Sequence, residues 1–335
     1  MSDLPTPRRT AKPRVVVTRH LLPSVEARME ELFETTLNAA DEPMSRENLA
    51  AAMQAADVLV PTVTDRIDAE LIGAAGPQLG LIASFGAGVD HIDLAAARAR
   101  KIVVTNTPGV FTDDTADLTM ALIIGVPRRL REGTSLIRRG EWTGWAPSAL
   151  LGRKLSGKVL GIVGMGRIGQ AVAFRARAFG LDIRYHNRRR LPQSAEAMFG
   201  ATWVDSLDEL LAQADILSLH CPSSPGSKGM IGAGQIAAMK PGAILVNTAR
   251  ADLVDYDAMI DALESGHLGG AGLDVFPGEP RVDERIVALP NVIAQPHIGS
   301  ATIEGREQAG EKVIANIRFW ADGHRPPDQV LEGLV

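Results

Sequence analysis

Val159-Leu-Gly-Ile-Val-Gly-Met-Gly-Arg-Ile-Gly169 is a short apolar run broken by glycines, and the apolar-rich stretch Ala171 to Phe179 follows it. The pattern reads as strand, tight turn and helix. Gly164 permits the turn, Gly166 lets backbone amides approach a pyrophosphate, and Gly169 lets helix pack on strand, while the helix N-terminus offers a positive dipole end. Glycines between strand and helix are often mere turn residues, so the context decides. Where the next strand should end, an Asp or Glu would grip a ribose 2′-hydroxyl. Asn187 stands there instead, followed by Arg188, Arg189 and Arg190. A carboxylate repels a 2′-phosphate and guanidinium groups pair with it, so this stretch points to NADPH rather than NADH. The plainer reading is an exposed basic turn.

Around this motif, strand-like and helix-like patterns alternate, which marks a doubly wound α/β protein. A first series of strands is expected at Arg14 to Thr18, Asp57 to Val60, Leu79 to Ala83 and Lys101 to Thr105. A second is expected at Val159 to Val163, Asp182 to Tyr185, Asp215 to Leu219, Ala243 to Asn247, Gly270 to Val275 and Asn291 to Gln295. Two series mean two sheets and two cores. Ser45 caps a helix whose Leu49 and Met53 share a face. From Asp113 to Gly140 runs one long helical pattern, with Asp113 and Asp114 near its start and Arg138 and Arg139 near its end, as the dipole favours. Pro127 interrupts it and predicts a kink or break. The last amphipathic stretch, Ile303 to Trp320, carries Val313, Ile314, Ile317 and Trp320 on one side. It is expected to cross back and cover the first sheet. The first domain is then discontinuous, residues 1–107 plus 298–335, with 108–297 as the cofactor domain.

With 335 residues, 45% hydrophobic and 22% charged, the composition is that of an ordinary soluble protein of two domains. A net charge of −5 and a pI near 5.8 argue against a nucleic-acid partner. Cys221 is the only cysteine, so no internal disulfide or cysteine-based zinc site is expected, and no metal. Met1 to Arg14, rich in Pro, Arg and Thr without an apolar core, is expected to be a flexible tail and not a signal peptide. No apolar run is long enough to span a bilayer, and a cytoplasmic location is expected.

A carbonyl reductase needs a proton donor, a group to orient it, and a cation for an anionic substrate. Candidates stand at the ends of late strands: Arg250 in Asn247-Thr-Ala-Arg250, Asp274 and Glu279 in Gly272-Leu-Asp-Val-Phe-Pro-Gly-Glu-Pro280, and His297 in Gln295-Pro-His-Ile-Gly299. Each alone is unremarkable, since such residues more often make structural contacts. Their order behind a dinucleotide cradle is what is specific.

At these residues the chain resembles the D-2-hydroxyacid dehydrogenases, and among them the glyoxylate/hydroxypyruvate reductases. The resemblance rests further on Phe85-Gly-Ala-Gly-Val-Asp-His91, Asn106-Thr-Pro-Gly-Val-Phe-Thr-Asp-Asp-Thr-Ala-Asp-Leu118 and Pro296-His-Ile-Gly-Ser-Ala-Thr302. It implies two doubly wound parallel-sheet domains, a flavodoxin-like substrate domain and a Rossmann cofactor domain. It implies that Arg250 holds the substrate carboxylate and carbonyl, that His297 donates the proton and that Glu279 hydrogen-bonds His297. It also implies that Thr115, Arg167, Ile168, Cys221, Pro222, Ser227, Thr248, Ala249, Asp274 and Gly299 line the cofactor beside Gly164, Gly166 and Gly169. The amides of Ala87 and Gly88 are implied to hold the carboxylate. The substrate is then a small 2-keto acid or 2-hydroxy acid, glyoxylate or hydroxypyruvate, with NADPH preferred and NADH as the alternative.

Three departures from the family pattern stand out: Ala251 where glycine usually follows the arginine, Pro127 in a helix near the family's subunit contact, and Asn187. Competing expectations are a dehydrogenase for larger 2-keto acids such as pyruvate or phenylpyruvate, and an NAD(P)-sensing corepressor-like scaffold on the same fold. Trp142 and Trp145, in Gly140-Glu-Trp-Thr-Gly-Trp-Ala-Pro147, form an extended apolar segment. In the similar reductases this segment crosses a two-fold interface, which implies a homodimer in which Trp145 closes the partner's substrate pocket. Local packing on its own domain is the plainer alternative.

Overall fold

The computed structural model describes residues 12–331. The chain divides into two compact units, one running to Phe111 and resuming at Ala301, the other being Thr112–Ser300. The first unit begins with β1 (Arg14–Val17), α1 (Pro23–Leu32), β2 (Glu34–Thr36), α2 (Arg46–Ala55) and β3 (Val58–Val60). It continues with α3 (Ala69–Ala74), β4 (Leu81–Ala83), α4 (Leu94–Ala99) and β5 (Val103–Thr105). Its five strands are parallel in the order β2-β1-β3-β4-β5, the flavodoxin-like order. Every residue of β3 and β4 is buried, as in a parallel sheet covered on both faces. Ser45 caps α2 by accepting from the Asn48 amide, and Leu49 and Met53 face the core.

The second unit opens with α5 (Thr112–Gly125), α6 (Leu130–Arg138), β6 (Val159–Val163), α7 (Arg167–Ala178) and β7 (Asp182–His186). Then come α8 (Gln193–Phe199), β8 (Ala201–Trp203), α9 (Leu207–Gln213), β9 (Ile216–Leu219), α10 (Ala233–Ala238) and β10 (Ala243–Asn247). It closes with α11 (Tyr256–Glu264), β11 (Leu268–Leu273), α12 (Glu284–Ala288) and β12 (Val292–Ala294). The seven strands are parallel in the order β12-β11-β10-β9-β6-β7-β8. Six of them reproduce the doubly wound dinucleotide-binding order, and β12 adds an edge. The order reverses between β6 and β9, where such sheets open a crevice at the carboxyl ends of the strands.

The helix α13 (Ile303–Ala321) returns to the first unit and buries Ala309, Val313, Ile314 and Ile317 in the core that contains Val15 and Leu81. Pro127 breaks the long helical pattern: α5 stops at Gly125, and Arg129 takes a φ of 54° before α6 begins. The seams fall a few residues beyond 107 and 297 for two local reasons. Phe111 is buried in the core of the first unit. The Ile298 and Gly299 amides donate to Asp274 of the second.

Arg14, expected both as the end of the tail and as the start of a strand, belongs to the strand. Arg14 opens β1, and its guanidinium and amide both bond the buried Asp57, a carboxylate that needs such partners once out of water. Residues 1–11, the rest of that expected tail, lie outside the described residues. Two strands were not foreseen, β2 and β8. Each has three residues at a sheet edge, Glu-Thr-Thr and Ala-Thr-Trp, with no continuous apolar run to mark it.

Candidate active site

Gly164 follows β6 with a φ of 96°, and a Cβ there would lie 2.6 Å from the Cys221 amide nitrogen at the end of β9. A Cβ at Gly169 would run into the Gly164 carbonyl. Gly166, the N-cap of α7, faces open space with nothing within 4 Å of such an atom. Two glycines thus serve close backbone packing and the third leaves a helix N-terminus bare, a cradle that fits a pyrophosphate. Arg167 and Ile168 begin the helix beneath it.

Asn187 ties this loop down. Its Oδ1 accepts from the Met165 amide at 2.7 Å, and because that N–H can only donate, the side-chain amino group must face elsewhere. Arg190 has a structural post: its guanidinium makes two 2.8 Å bonds to Glu196 and stands 5.4 Å from the centre of the Trp203 ring. Glu196 also accepts from the Tyr185 hydroxyl at 2.7 Å, and that hydroxyl accepts from the Leu191 amide. Arg190 and Tyr185 hold the Glu196 carboxyl down to about 2. Burial, with Glu196 beside it, pushes the Tyr185 phenol up to about 12. Arg188 and Arg189 are exposed. Burial pushes the Cys221 thiol up to about 11, and the charge of Arg188 opposes that rise, which puts Arg188 within electrostatic reach of the end of β9.

Several residues assigned to the cofactor hold one another. The Ser227 hydroxyl donates to the Pro222 carbonyl at 2.8 Å and accepts from the Ser224 amide. Cys221 Sγ lies 3.7 Å from Met230 Sδ. Thr115 donates to the Gly299 carbonyl at 3.1 Å, and the hydroxyls of Thr119 and Thr248 meet at 2.8 Å. Asp274, 1% exposed, accepts from the Ile298 and Gly299 amides, each at 2.7 Å. Burial raises its carboxyl above the usual range although those amides pull it down. Asp274 therefore caps and fixes the turn next to His297.

The catalytic candidates lie on neighbouring strand ends of the same sheet. Arg250 follows β10, and Asn247 shapes that turn by accepting from the Ala249 amide and donating to the Arg250 carbonyl at 2.8 Å. Ala251 enters a single 3₁₀ turn, with no left-handed φ, so the missing glycine costs nothing in backbone strain. After β11, Glu279 accepts from the Phe276 amide with one oxygen and meets His297 Nδ1 at 2.8 Å with the other. His297 itself carries a φ of 54°, a strained conformation for this residue type, held by the Glu279 bond and its amide bond to Gln295. Among the described residues Nε2 of His297 has no hydrogen-bond partner. Burial acts to raise the Glu279 carboxyl. The bonds from His297 and Phe276, with the charges of His297 and Arg250, outweigh it and leave the carboxyl below its ordinary range.

In the first unit Ala87 and Gly88 lie in the loop after β4, Ala87 exposed and Gly88 half-buried. In the second, Trp142 and Trp145 occupy a segment without helix or strand and are 60% and 84% exposed. The sequence assigned no role to Asn247 or Glu196. Asn247 lay inside a quoted motif, and Glu196 carried no signal because its partners are its neighbours only in space. Among the described residues no cluster of His, Cys, Asp and Glu is placed to hold a metal ion, and no helix is long and apolar enough to cross a membrane.

A dinucleotide cradle at a switch point, with an arginine and a histidine–glutamate pair on neighbouring strand ends, defines a nicotinamide-dependent oxidoreductase. Residues 120–299 match the model of the D-isomer specific 2-hydroxyacid dehydrogenase NAD-binding domain. The chain is 45% identical over 328 residues to a glyoxylate reductase of Thermococcus litoralis, covering 97% of this chain and 98% of that one. It is 40% identical over 297 residues to a glycerate dehydrogenase of Hyphomicrobium methylovorum, covering 89% and 92%. An NADPH-dependent glyoxylate/hydroxypyruvate reductase from Sinorhizobium meliloti, solved with NADP and malonate, matches with a TM-score of 0.85 at 33% identity over 96% of this chain and 98% of that one. The chain belongs to the D-isomer specific 2-hydroxyacid dehydrogenase family.

Proposed function

We propose that the protein reduces small 2-keto acids, glyoxylate to glycolate and hydroxypyruvate to D-glycerate, with NADPH preferred. The observation that carries this is the His297–Glu279 pair. One ring nitrogen is fixed at 2.8 Å by a carboxylate and the other is left to a substrate. Glu279 orients the ring through Nδ1 and turns Nε2 toward the substrate side. The glycine cradle would hold the pyrophosphate of a reduced nicotinamide dinucleotide, which would supply the hydride. As charge builds on the carbonyl oxygen, Arg250 stabilises it while His297 Nε2 gives up its proton. The Ala87 and Gly88 amides hold the carboxylate. Thr115, Arg167, Ile168, Cys221, Pro222, Ser227, Thr248, Ala249, Asp274 and Gly299 line the cofactor site.

The preference for NADPH is supported by Asn187, whose oxygen is already taken by Met165, and by Arg188 and Arg189, exposed where a carboxylate would exclude a 2′-phosphate. The test is a panel of 2-keto acids of increasing size, run with NADPH and with NADH. Highest efficiency for glyoxylate or hydroxypyruvate with NADPH is expected, and equal or better use of NADH would overturn the cofactor assignment.

The exposed Trp142 and Trp145 support a homodimer in which Trp145 completes the partner's substrate pocket. Trp145→Ala is expected to relax discrimination against bulkier keto acids by about 1–3 kcal/mol, the worth of emptying a small apolar pocket. A monomer by light scattering at micromolar concentration would count against it.

A further inference from the structure

A loop that binds an anion through its backbone must hold its N–H groups in place before the anion arrives, because flexible amides turn to water or to each other. In the Phe85–His91 loop neither the Ala87 nor the Gly88 amide is engaged by another group among the described residues. Both are the amides to which a substrate carboxylate has been assigned. What keeps them aimed lies just past the end of β5. The Gly86 carbonyl accepts from the Thr107 amide at 2.9 Å. The Ala87 carbonyl accepts from the side-chain amino group of Asn106 at 2.6 Å. A carbonyl only accepts, so the orientation of the Asn106 amide is fixed.

A peptide unit is planar and trans, so the C=O of one residue and the N–H of the next point in opposite directions. Pinning the Gly86 carbonyl therefore directs the Ala87 N–H, and pinning the Ala87 carbonyl directs the Gly88 N–H, each away from β5. We propose that Asn106 is a positioning residue for the substrate carboxylate, fixing with the Thr107 amide two successive peptide planes so that the Ala87 and Gly88 N–H groups face the anion. This rests on the reading of that loop as the carboxylate holder.

Asn106 is itself held from behind by the carboxyl-terminal segment. Its amide donates to the Asp328 carbonyl at 3.3 Å, and the Val330 amide donates to the Val104 carbonyl at 2.9 Å. The Asp328 amide donates to Oδ1 of the fully buried Asn316, and Lys312 pairs with the Asp328 carboxylate at 2.9 Å. Residues more than two hundred positions apart thus meet to steady one side chain whose partner is a carbonyl of the loop.

Two variants test this, Asn106→Ala and Asn106→Ser, each assayed for the KM of glyoxylate, the KM of NADPH and the thermal transition. Loosening one of two charge-directed donors should raise the glyoxylate KM about tenfold while the NADPH KM stays within about twofold. The ratio of efficiency on glyoxylate to that on glyoxal, which has no carboxylate, should fall to match. A glyoxylate KM within twofold of wild type in both variants would overturn the proposal. Equal rises in both KM values, or loss of the cooperative transition in both variants, would assign Asn106 to the fold alone and overturn it too. If the wild-type protein turns over no 2-keto acid, it is the functional reading beneath that fails.

Discussion

Two loops of this chain are, by the proposed reading, directed at anions, and they are held open by opposite means. The loop after β6 is shaped by what it lacks: Gly164 sits at a φ of 96° with no room for a Cβ, and Gly166 leaves its helix end uncovered. The loop after β4 is shaped by what reaches it, a side chain nineteen positions further on. The first has its geometry built into its own backbone and tolerates no side chain at Gly164. The second should keep its fold without the pin and lose only its aim, so damage to the two loops should differ in kind and in size.

The sharpest break is Gly164→Ala. The new methyl group would meet the Cys221 nitrogen at 2.6 Å in a backbone conformation that L residues rarely adopt. Strain and overpacking together should destabilise the protein by about 2–4 kcal/mol, with NADPH binding lost in the same step. Thermal melts and cofactor titration read both. A variant with wild-type Tm and wild-type NADPH affinity would mean that the cradle is not where the pyrophosphate sits.

The next effect falls on selectivity and leaves the fold intact. Removing both free guanidinium groups in Arg188→Ala with Arg189→Ala should raise the KM for NADPH about tenfold to a hundredfold, the worth of one or two charge-assisted bonds, and leave that for NADH nearly unchanged. Arg190→Ala should act differently, by loosening the loop, since Glu196 and Trp203 already occupy that side chain. Equal loss for both cofactors in the double variant would refute the 2′-phosphate assignment.

A smaller shift should appear in pH dependence. The Glu279 carboxyl lies below its ordinary range, so its support of His297 is complete above the usual carboxyl titration and is lost only as pH falls through the depressed value. Glu279→Gln removes that support at every pH. Wild-type keto-acid reduction should therefore weaken as pH falls through the depressed Glu279 value, and the variant should lack that acid-side loss. An unchanged profile of kcat/KM against pH would make the pair a structural bond.

The same contrast explains what could be read in advance. The glycine loop, the alternation of strands and helices, the proline break and the return of α13 all leave marks within a few residues, because turns, periods and proline act locally. The pairing of Glu279 with His297 came from a family resemblance, and the geometry now gives it a distance. Asn106, Asn247 and Glu196 were passed over because what makes them matter is a partner brought close by folding, and an isolated Asn or Glu carries no such mark. The edge strands β2 and β8 were missed because Glu-Thr-Thr and Ala-Thr-Trp lack the apolar run that marks the equally short but buried β3 and β4. Arg190, counted with its neighbours as a phosphate ligand in the basic run, is instead a strut.

That strut supports the smallest prediction, and it brings the two loops back together. Glu196 does for the arginine loop what Asn106 does for the carboxylate loop: it anchors Arg190 and the Tyr185 hydroxyl, which in turn holds the Leu191 amide, so the chain between them presents Arg188 and Arg189. Its carboxyl is held at about 2, far below the ordinary value, so its contribution to the loop is full above the ordinary carboxyl range and fades as pH falls toward 2. Glu196→Gln keeps the shape and removes the charge. The KM for NADPH should rise about twofold to fivefold, that for NADH should stay level, and the effect should vanish in the Arg188→Ala, Arg189→Ala background, because a positioning residue has nothing left to position. If Glu196→Gln costs both cofactors equally, or costs the same in either background, then the network merely packs the end of β7, and the likeness between the two loops ends with their amides.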